Sequence, residues 1–484
     1  MGASSCRAPG DRRGNAERIV NMGTVFSEFL GLSHDETVKR LIGMALSEIP
    51  ERLLRECPSV DDSEFILRGV RRVLDRYESG RDFIQMIQQE GAHAPRSTYF
   101  ENLHSDRRKL MLEAACDALR AKLRHWFEKA GANQLSAFPE LAGRALFAAD
   151  GHYIEHACHS PRDEKGRQVA FGNIYAVDLA FGLTFPISSI LSGRTMHPNE
   201  WAVLKVSDKK MMRRMGMSRM GWNPDIRPLL AYDKAGADSK YMSEKERLEK
   251  NGFDMLTRMK ENMCAEKLED RPFKKDDPVN AGILGDCEVR LANGALLRRV
   301  EYKCPETLHK YTFITTERKL RPGVVAWLYF SRWRIEKVFD VFEQKLGQDK
   351  AWVTDEHDKN ANPCQPEFIC MGYNILLFMQ AVLAAEAGIE DRKSEEKRRK
   401  EIEGRRREVD AHNAEAKAKA KAKKKQSKRK PRGLKAIHPM LLAVVQQCNP
   451  MTYQFIRCFR SLLRTAKPLV NCFNAYKPYM EKYL

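Results

Sequence analysis

The sequence predicts a mixed α/β protein in which a β-rich centre is flanked by helical parts, and three observations predict it. From about Val25 to Lys129 apolar residues recur every three or four positions, as in FILRGVRRVLDRY and LMLEAACDALRAKLRHWF, which is the period of an amphipathic helix. At Ala145 the character changes to the runs ALFAADGHYIEHA, VAFGNIYAVDLAF and LTFPISSIL, rich in β-formers and separated by turn signals. Helical periodicity returns in VVAWLYFSRWRIEKVFDVFEQKLG and PEFICMGYNILLFMQAVLAAEAG.

A chain of 484 residues has room for one catalytic core of about 200 to 250 residues with smaller helical parts around it. Residues 1–22 are Gly/Ala/Arg-rich, without the apolar core of a signal peptide, and are expected to be disordered. Gly2 does not make a myristoylation site, because Cys6 stands where that motif needs Ser or Thr. Residues 23–140 are expected to form a helical, DNA-binding domain. Its run RSTYFENLHSDRRK (Arg96 to Lys109) combines a helix cap, basic residues and an aromatic, as a DNA-contacting helix does, although an ordinary solvated face has the same composition.

The centre, 141–388, opens with three consecutive strands. A helix follows in HPNEWAVLKVSDKKMMRRM, where Pro198 and Asn199 suit the first turn, and then a fourth strand in RPLLAYDKAG. Three strands, a helix and a strand, with an acid closing two of the strands, is the opening of a ribonuclease-H-like sheet. A second β-rich patch, with the turn-forming Asn293-Gly294 inside it, reads as an insertion at about 265–320. Phe368 to Gly388 is long enough to raise the question of a membrane span, but Asn374, Gln380 and Glu386 interrupt it, so a buried or amphipathic helix is expected.

The formal net charge is +19, from 84 Lys plus Arg against 65 Asp plus Glu, which favours a polyanionic partner. Asp391 to Lys435 holds 20 Lys/Arg and 8 Asp/Glu, a surplus of 12, so the rest of the chain carries only 19 minus 12, or +7. This low-complexity stretch, 389–435, cannot build a core. Apolar helical sequence resumes after it, so 436–484 is expected to form C-terminal helices and the basic stretch to be an excursion between them, making salt-sensitive, sequence-independent DNA contacts. The 12 cysteines include no CxxC pair, which argues against a disulfide framework and for a reducing, cytoplasmic setting.

Phosphodiester chemistry with two divalent ions needs carboxylates converging on one point, because Mg²⁺ takes oxygen ligands and keeps positions open for phosphate. Asp150 closes the apolar strand ALFAAD, and Asp233 repeats the arrangement in LLAYDKAG, at the carboxyl end where α/β sheets place ligands. In YFSRWRIEKVF, Tyr329, Arg332 and Glu336 fall at i, i+3 and i+7, so a continuous helix would carry a donor, a cation and a metal ligand along one face. Each motif has a bland alternative, a turn-forming Asp or a solvated helix face. His152, His156, Cys158 and His159 are dense enough to suggest zinc, but alternate residues of a strand point to opposite faces and no second ligand pair follows. No GxSxG elbow and no GxxxxGK[ST] loop occurs.

These motifs resemble the DDE transposases of the insertion sequence four family: ADG around Asp150, LLAYDKAG around Asp233, RMKENM from Arg258 to Met263, and the Tyr, two residues, Arg, three residues, Glu signature of Tyr329, Arg332 and Glu336. The likeness spans roughly Leu146 to Trp352. It implies that Asp150, Asp233 and Glu336 ligate two Mg²⁺ ions, with Mn²⁺ able to substitute, and that Tyr329 and Arg332 contact phosphates of the transposon end. Arg258, Lys260 and Lys345 are the further DNA contacts expected. The family's terminal Lys falls at Glu343 here, and the nearest lysine is Lys345, about 200 degrees round the helix from that position. No Trp lies between Asp233 and Trp327, so the base-trapping hairpin route of some members does not transfer. The function expected is metal-dependent cleavage at transposon ends followed by strand transfer into double-stranded target DNA, in a homo-oligomeric synaptic complex. The alternatives are a catalytically inactive, transposase-derived DNA-binding protein and a nuclease of the same fold.

Overall fold

The computed structural model describes residues 25–55, 60–77, 79–91, 96–154, 171–191, 200–206, 211, 213–214, 227–243, 253–304, 308–348, 351–352 and 361–387, with isolated positions 407 and 411. The N-terminal tail, the helices expected at 436–484 and, those two positions apart, the basic segment lie outside the described residues.

Five helices come first: α1 (His34–Leu46), α2 (Asp62–Leu74), α3 (Gly80–Gln89), α4 (Arg96–His104) and α5 (Asp106–Lys129). Their starts are written locally. Ser33 and Glu36 form a reciprocal capping box at α1, and Asp61, Ser79 and Ser105 accept from the third backbone N–H of α2, α3 and α5. Several residues of the run expected to contact DNA are turned inward, Tyr99, Leu103 and Arg108 being buried. Arg107 donates to both carboxylate oxygens of Asp62, at 2.8 and 3.0 Å, and Arg108 reaches the same carboxylate and the carbonyls of Val60 and Asp61. Tyr99 is buried and accepts from Arg72 at 3.1 Å. These basic residues tie helices together because each finds a buried acid or an orphan carbonyl.

The strands β1 (Leu146–Ile154), β2 (Phe171–Asp178) and β3 (Thr184–Leu191) are antiparallel neighbours, as their alternation predicts. The short helix α6 (Glu200–Val206) precedes β4 (Leu229–Ala231), which lies parallel to β1; α7 (Ser239–Ser243) follows, and then β5 (Asp254–Arg258), parallel to β4. The β-rich stretch expected as an insertion supplies β6 (Ala265–Asp270), β7 (Ile283–Leu291), β8 (Leu296–Lys303) and β9 (Lys310–Thr315). Gly294, at φ +86°, makes the turn between β7 and β8. These strands extend the same sheet, since β9 pairs antiparallel with β5, giving nine strands in the order β3-β2-β1-β4-β5-β9-β8-β7-β6.

Strand alternation divides the interior into two cores. Leu146, Ala148, Leu229, Leu256 and Phe313 face one side, together with the N-terminal helices and with α8 (Pro322–Ser331), α9 (Arg334–Leu346) and α10 (Ala361–Ala387). Phe147, Ala149, Leu230, Met255 and Ile314 face the other, against α6 and α7. Alternate residues of one strand serving different cores is the signature of a sheet covered on both faces.

One polar residue inside the apolar run of α10 has an internal use. Asn374 is buried and exchanges hydrogen bonds with the backbone of Thr184, accepting at 2.8 Å and donating at 2.9 Å, so it closes the start of β3. Among the described residues no helix is long and apolar enough to cross a membrane.

Candidate active site

The sheet order brings Asp150 and Asp233 level with one another. β1 and β4 pair in parallel from Leu146 with Leu229 to Ala148 with Ala231. Two residues further along each chain stand Asp150 and Asp233, so they continue the alternation that points Ala148 toward the face beneath α8 and α9. Asp150 does not close its strand as expected. β1 runs on to Ile154 because β2 continues to pair with it, Asp150 opposite Tyr175, while its other neighbour β4 stops at Ala231. The strand edge is therefore open on one side only, beside Asp150. Asp233 instead caps a short 3-10 turn, accepting from Ala235 N at 2.8 Å.

The long helix expected across YFSRWRIEKVF is two helices. α8 ends at Ser331 and α9 starts at Arg334, and between them the hydrogen bonds tighten to i+3: Arg332 N to Tyr329 O, Trp333 N to Phe330 O and Ile335 N to Arg332 O. Arg332 thus projects from a tight turn. Its Nη1 donates to Asp150 Oδ2 and its Nη2 to Glu336 Oε1, each at 2.8 Å. The guanidinium is a bridge between the strand acid and the helix acid. Its side chain is 12% exposed, against 17% for Asp150 and 37% for Glu336, so these charges interact with little screening.

Electrostatics bind the remaining members to this pair. Burial pushes the Asp150 carboxyl up to about 6, opposed by Arg332 and reinforced by the charges of Asp233 and Glu336. Burial works against the charge of Arg332, but Asp150 and Glu336 hold its guanidinium above the ordinary range. Tyr329 is raised by burial, with Arg332, Arg258 and Asp233 all within electrostatic reach. Arg258 ends β5 and lies 5.4 Å from the Tyr311 ring centre.

Asp150, Asp233, Glu336, Tyr329, Arg332 and Arg258 therefore meet at one end of the sheet. Lys260 lies at its margin, donating to Ala235 O at 3.2 Å. With Lys234, Ala235, Glu261 and Asn262 it lines a shallow cleft of about 470 Å³ beside Asp233. Lys345 is not brought to the carboxylates. It occupies the last turn of α9, nine residues past Glu336, about 13 Å further along the axis and half a turn out of phase.

His152 has a place that sequence reasoning considered only for zinc. It is buried on the same face as Asp150, stacked on Phe339 of α9 with ring centres 4.7 Å apart, and its Nε2 lies 3.8 Å from Glu343. Burial pushes its imidazole down to about 4, so it is neutral at pH 7. The other residues of that cluster, His156, Cys158 and His159, lie outside the described residues. Lys234, directly after Asp233, pairs with Glu261 at 3.0 Å on the rim of the same cleft.

No family model matches the chain, and no curated protein does. Among solved structures it is similar to a cryo-EM structure of a piggyBac transposase synaptic complex with hairpin DNA, at 10% identity over 76% of each chain, with a TM-score of 0.31. That likeness is too slight to carry a family assignment.

The donor set itself is three carboxylates, the hard oxygen chemistry that Mg²⁺ and Mn²⁺ take. Among the described residues no three His, Cys, Asp or Glu side chains close up far enough to hold an ion. The space between two of the three acids is taken by Arg332.

Proposed function

We propose that the protein is a DNA transposase of the DDE type, resembling the insertion sequence four family, on a ribonuclease-H-like catalytic fold. The observation that carries this reading is that Asp150 on β1 and Glu336 on the helix laid over it share the guanidinium of Arg332, with Asp233 just past the end of the neighbouring parallel strand β4. The fold reading is supported by the order β3-β2-β1-β4-β5, with β1, β4 and β5 parallel and β2 reversed.

In this reading Asp150, Asp233 and Glu336 would hold two Mg²⁺ ions, for which Mn²⁺ would substitute. Once bound, the ions would supply an activated water or 3′-hydroxyl and a counter-charge for the leaving oxygen. The chain's own residues position the substrate. Arg332 offers the planar fork that matches a phosphate, Tyr329 adds a hydroxyl donor beside it, and Arg258 places a second fixed cation at the end of β5. Lys260 flanks the cleft next to Asp233. The substrate is double-stranded DNA, first a transposon end and then a target, held by two or more copies of the chain.

The test is nicking and joining of DNA carrying candidate element ends, with Mg²⁺ or Mn²⁺, comparing the intact chain with Glu336→Gln. Metal-dependent nicking and joining that the substitution abolishes while DNA binding persists is the expected result. Binding without nicking would identify a transposase-derived DNA-binding protein, and nicking without joining a nuclease.

A further inference from the structure

We infer that Arg332 is a stand-in cation for the metal site, and that a DNA phosphate must draw it away before the carboxylates can take their ions. The inference rests on the proposed two-metal reading and adds an order of events to it. The chain thereby avoids forming a loaded site until substrate is present.

Three carboxylates stand at one sheet end, and Asp150 among them is largely withdrawn from water, its side chain 17% exposed against 37% for Glu336. Such a group needs a counter-charge, because a buried acid left without a partner is strongly destabilising. In the DNA-free chain Arg332 supplies it, one nitrogen to Asp150 and one to Glu336. The same oxygens would ligate an ion, so guanidinium and metal compete for them. They cannot share the site without placing a fixed positive charge against a divalent one.

Two features of Arg332 suit it to leave. It stands on the tight turn between α8 and α9, where a change of its χ angles alone carries the guanidinium away from the acids. Its Nε is buried without a hydrogen-bond partner, so it is not fully satisfied where it rests. A DNA phosphate offers the fork a bidentate anionic partner. After the exchange a phosphate would face the guanidinium and the ions would face the acids, so neither the cation nor the carboxylates would lack an opposite charge.

The inference is tested by Mn²⁺ binding to the full chain, started metal-free and followed by the paramagnetic resonance of free Mn²⁺. Wild type, Arg332→Gln and Arg332→Lys are compared, with and without a short DNA duplex of arbitrary sequence, and Asp150→Asn with the same duplex is the blank. Without duplex, Arg332→Gln is expected to bind Mn²⁺ at least about tenfold tighter than wild type. Arg332→Lys, which keeps the charge but cannot span both acids, falls between them. The duplex is expected to tighten wild type toward the Gln variant and to leave the Gln variant unchanged.

Equal affinity of wild type and Arg332→Gln, or an equal gain from duplex in both, overturns the inference while leaving the carboxylates as metal ligands. Absence of specific Mn²⁺ binding in every protein, with duplex present, overturns both. If Arg332→Gln is weakly folded without metal, its melting temperature provides the second readout. Mn²⁺ should then raise it more than it raises wild type, and an equal or smaller rise contradicts the inference.

Discussion

At Asp233 a substitution can separate an observed structural role from the proposed metal-binding one. Its carboxylate caps the turn after β4 through Ala235 N, which an amide oxygen can also do, whereas a metal site needs the charge. A second residue makes the fold sensitive to acid. Burial of His34, at the first turn of α1, pushes its imidazole down to about 4 from 6.5. The unfolded chain therefore takes up a proton that the folded chain refuses. The stability tied to the neutral imidazole is complete above pH 6.5 and is lost as pH falls through about 4, up to about 3 kcal/mol. Chemical denaturation of His34→Gln across that window is expected to show a flatter pH profile than wild type, with the part due to His152 remaining. An unchanged slope would show that His34 carries no such linkage. At this scale apolar runs and a spaced motif singled out Asp150, Asp233 and Glu336, and the structure brings the charges of Asp233 and Glu336 to bear on Asp150. The partner of Arg332 was not, since an arginine 182 residues from its acid leaves no local signal.

Among the elements, strands were readable from alternation and turn residues, and β1 to β3 and the Asn293-Gly294 hairpin fall where that pattern put them. The break between α8 and α9 was hidden for a physical reason. Arg332 and Trp333 both keep right-handed helical backbone angles, so no Gly or Pro was needed to mark it and only the hydrogen-bond register changes. The length of β1 past Asp150 was equally hidden, because it depends on how far β2 pairs. Helix contacts yield a prediction of their own. A Cβ on Gly69 of α2 would sit 2.1 Å from the Phe368 ring of α10, although Ala is the better helix former by about 1 kcal/mol. Overpacking of about 1–3 kcal/mol should win, so Gly69→Ala is expected to lower stability in urea; a stabilised variant would show that the two helices part easily.

At the scale of the whole molecule, the insertion lengthens the sheet rather than forming a body of its own, a fact decided by the pairing of β9 with β5, 52 residues or more apart in sequence, and not visible in either run alone. Charge is distributed just as unevenly. Eleven Lys and Arg fall between 412 and 435 with a single acid among them, while the described core matches most of its basic side chains with acids. Deleting 412–435 is therefore expected to weaken binding of all duplexes alike and to shallow the dependence of log affinity on log salt. A deletion that changes sequence preference but not the salt slope would assign the segment a different role. The central claim, that Asp150, Asp233 and Glu336 form one metal site, is tested most directly by local protein cleavage. Fe²⁺ is substituted for Mg²⁺ in the full chain bound to duplex DNA, hydroxyl radicals are generated with ascorbate and peroxide, and the polypeptide cuts are mapped. Cuts confined to the neighbourhoods of Asp150, Asp233 and Arg332 to Glu336, suppressed by excess Mg²⁺ and lost in Asp150→Asn, are the predicted result; cuts scattered along the chain, or clustered elsewhere, would contradict it.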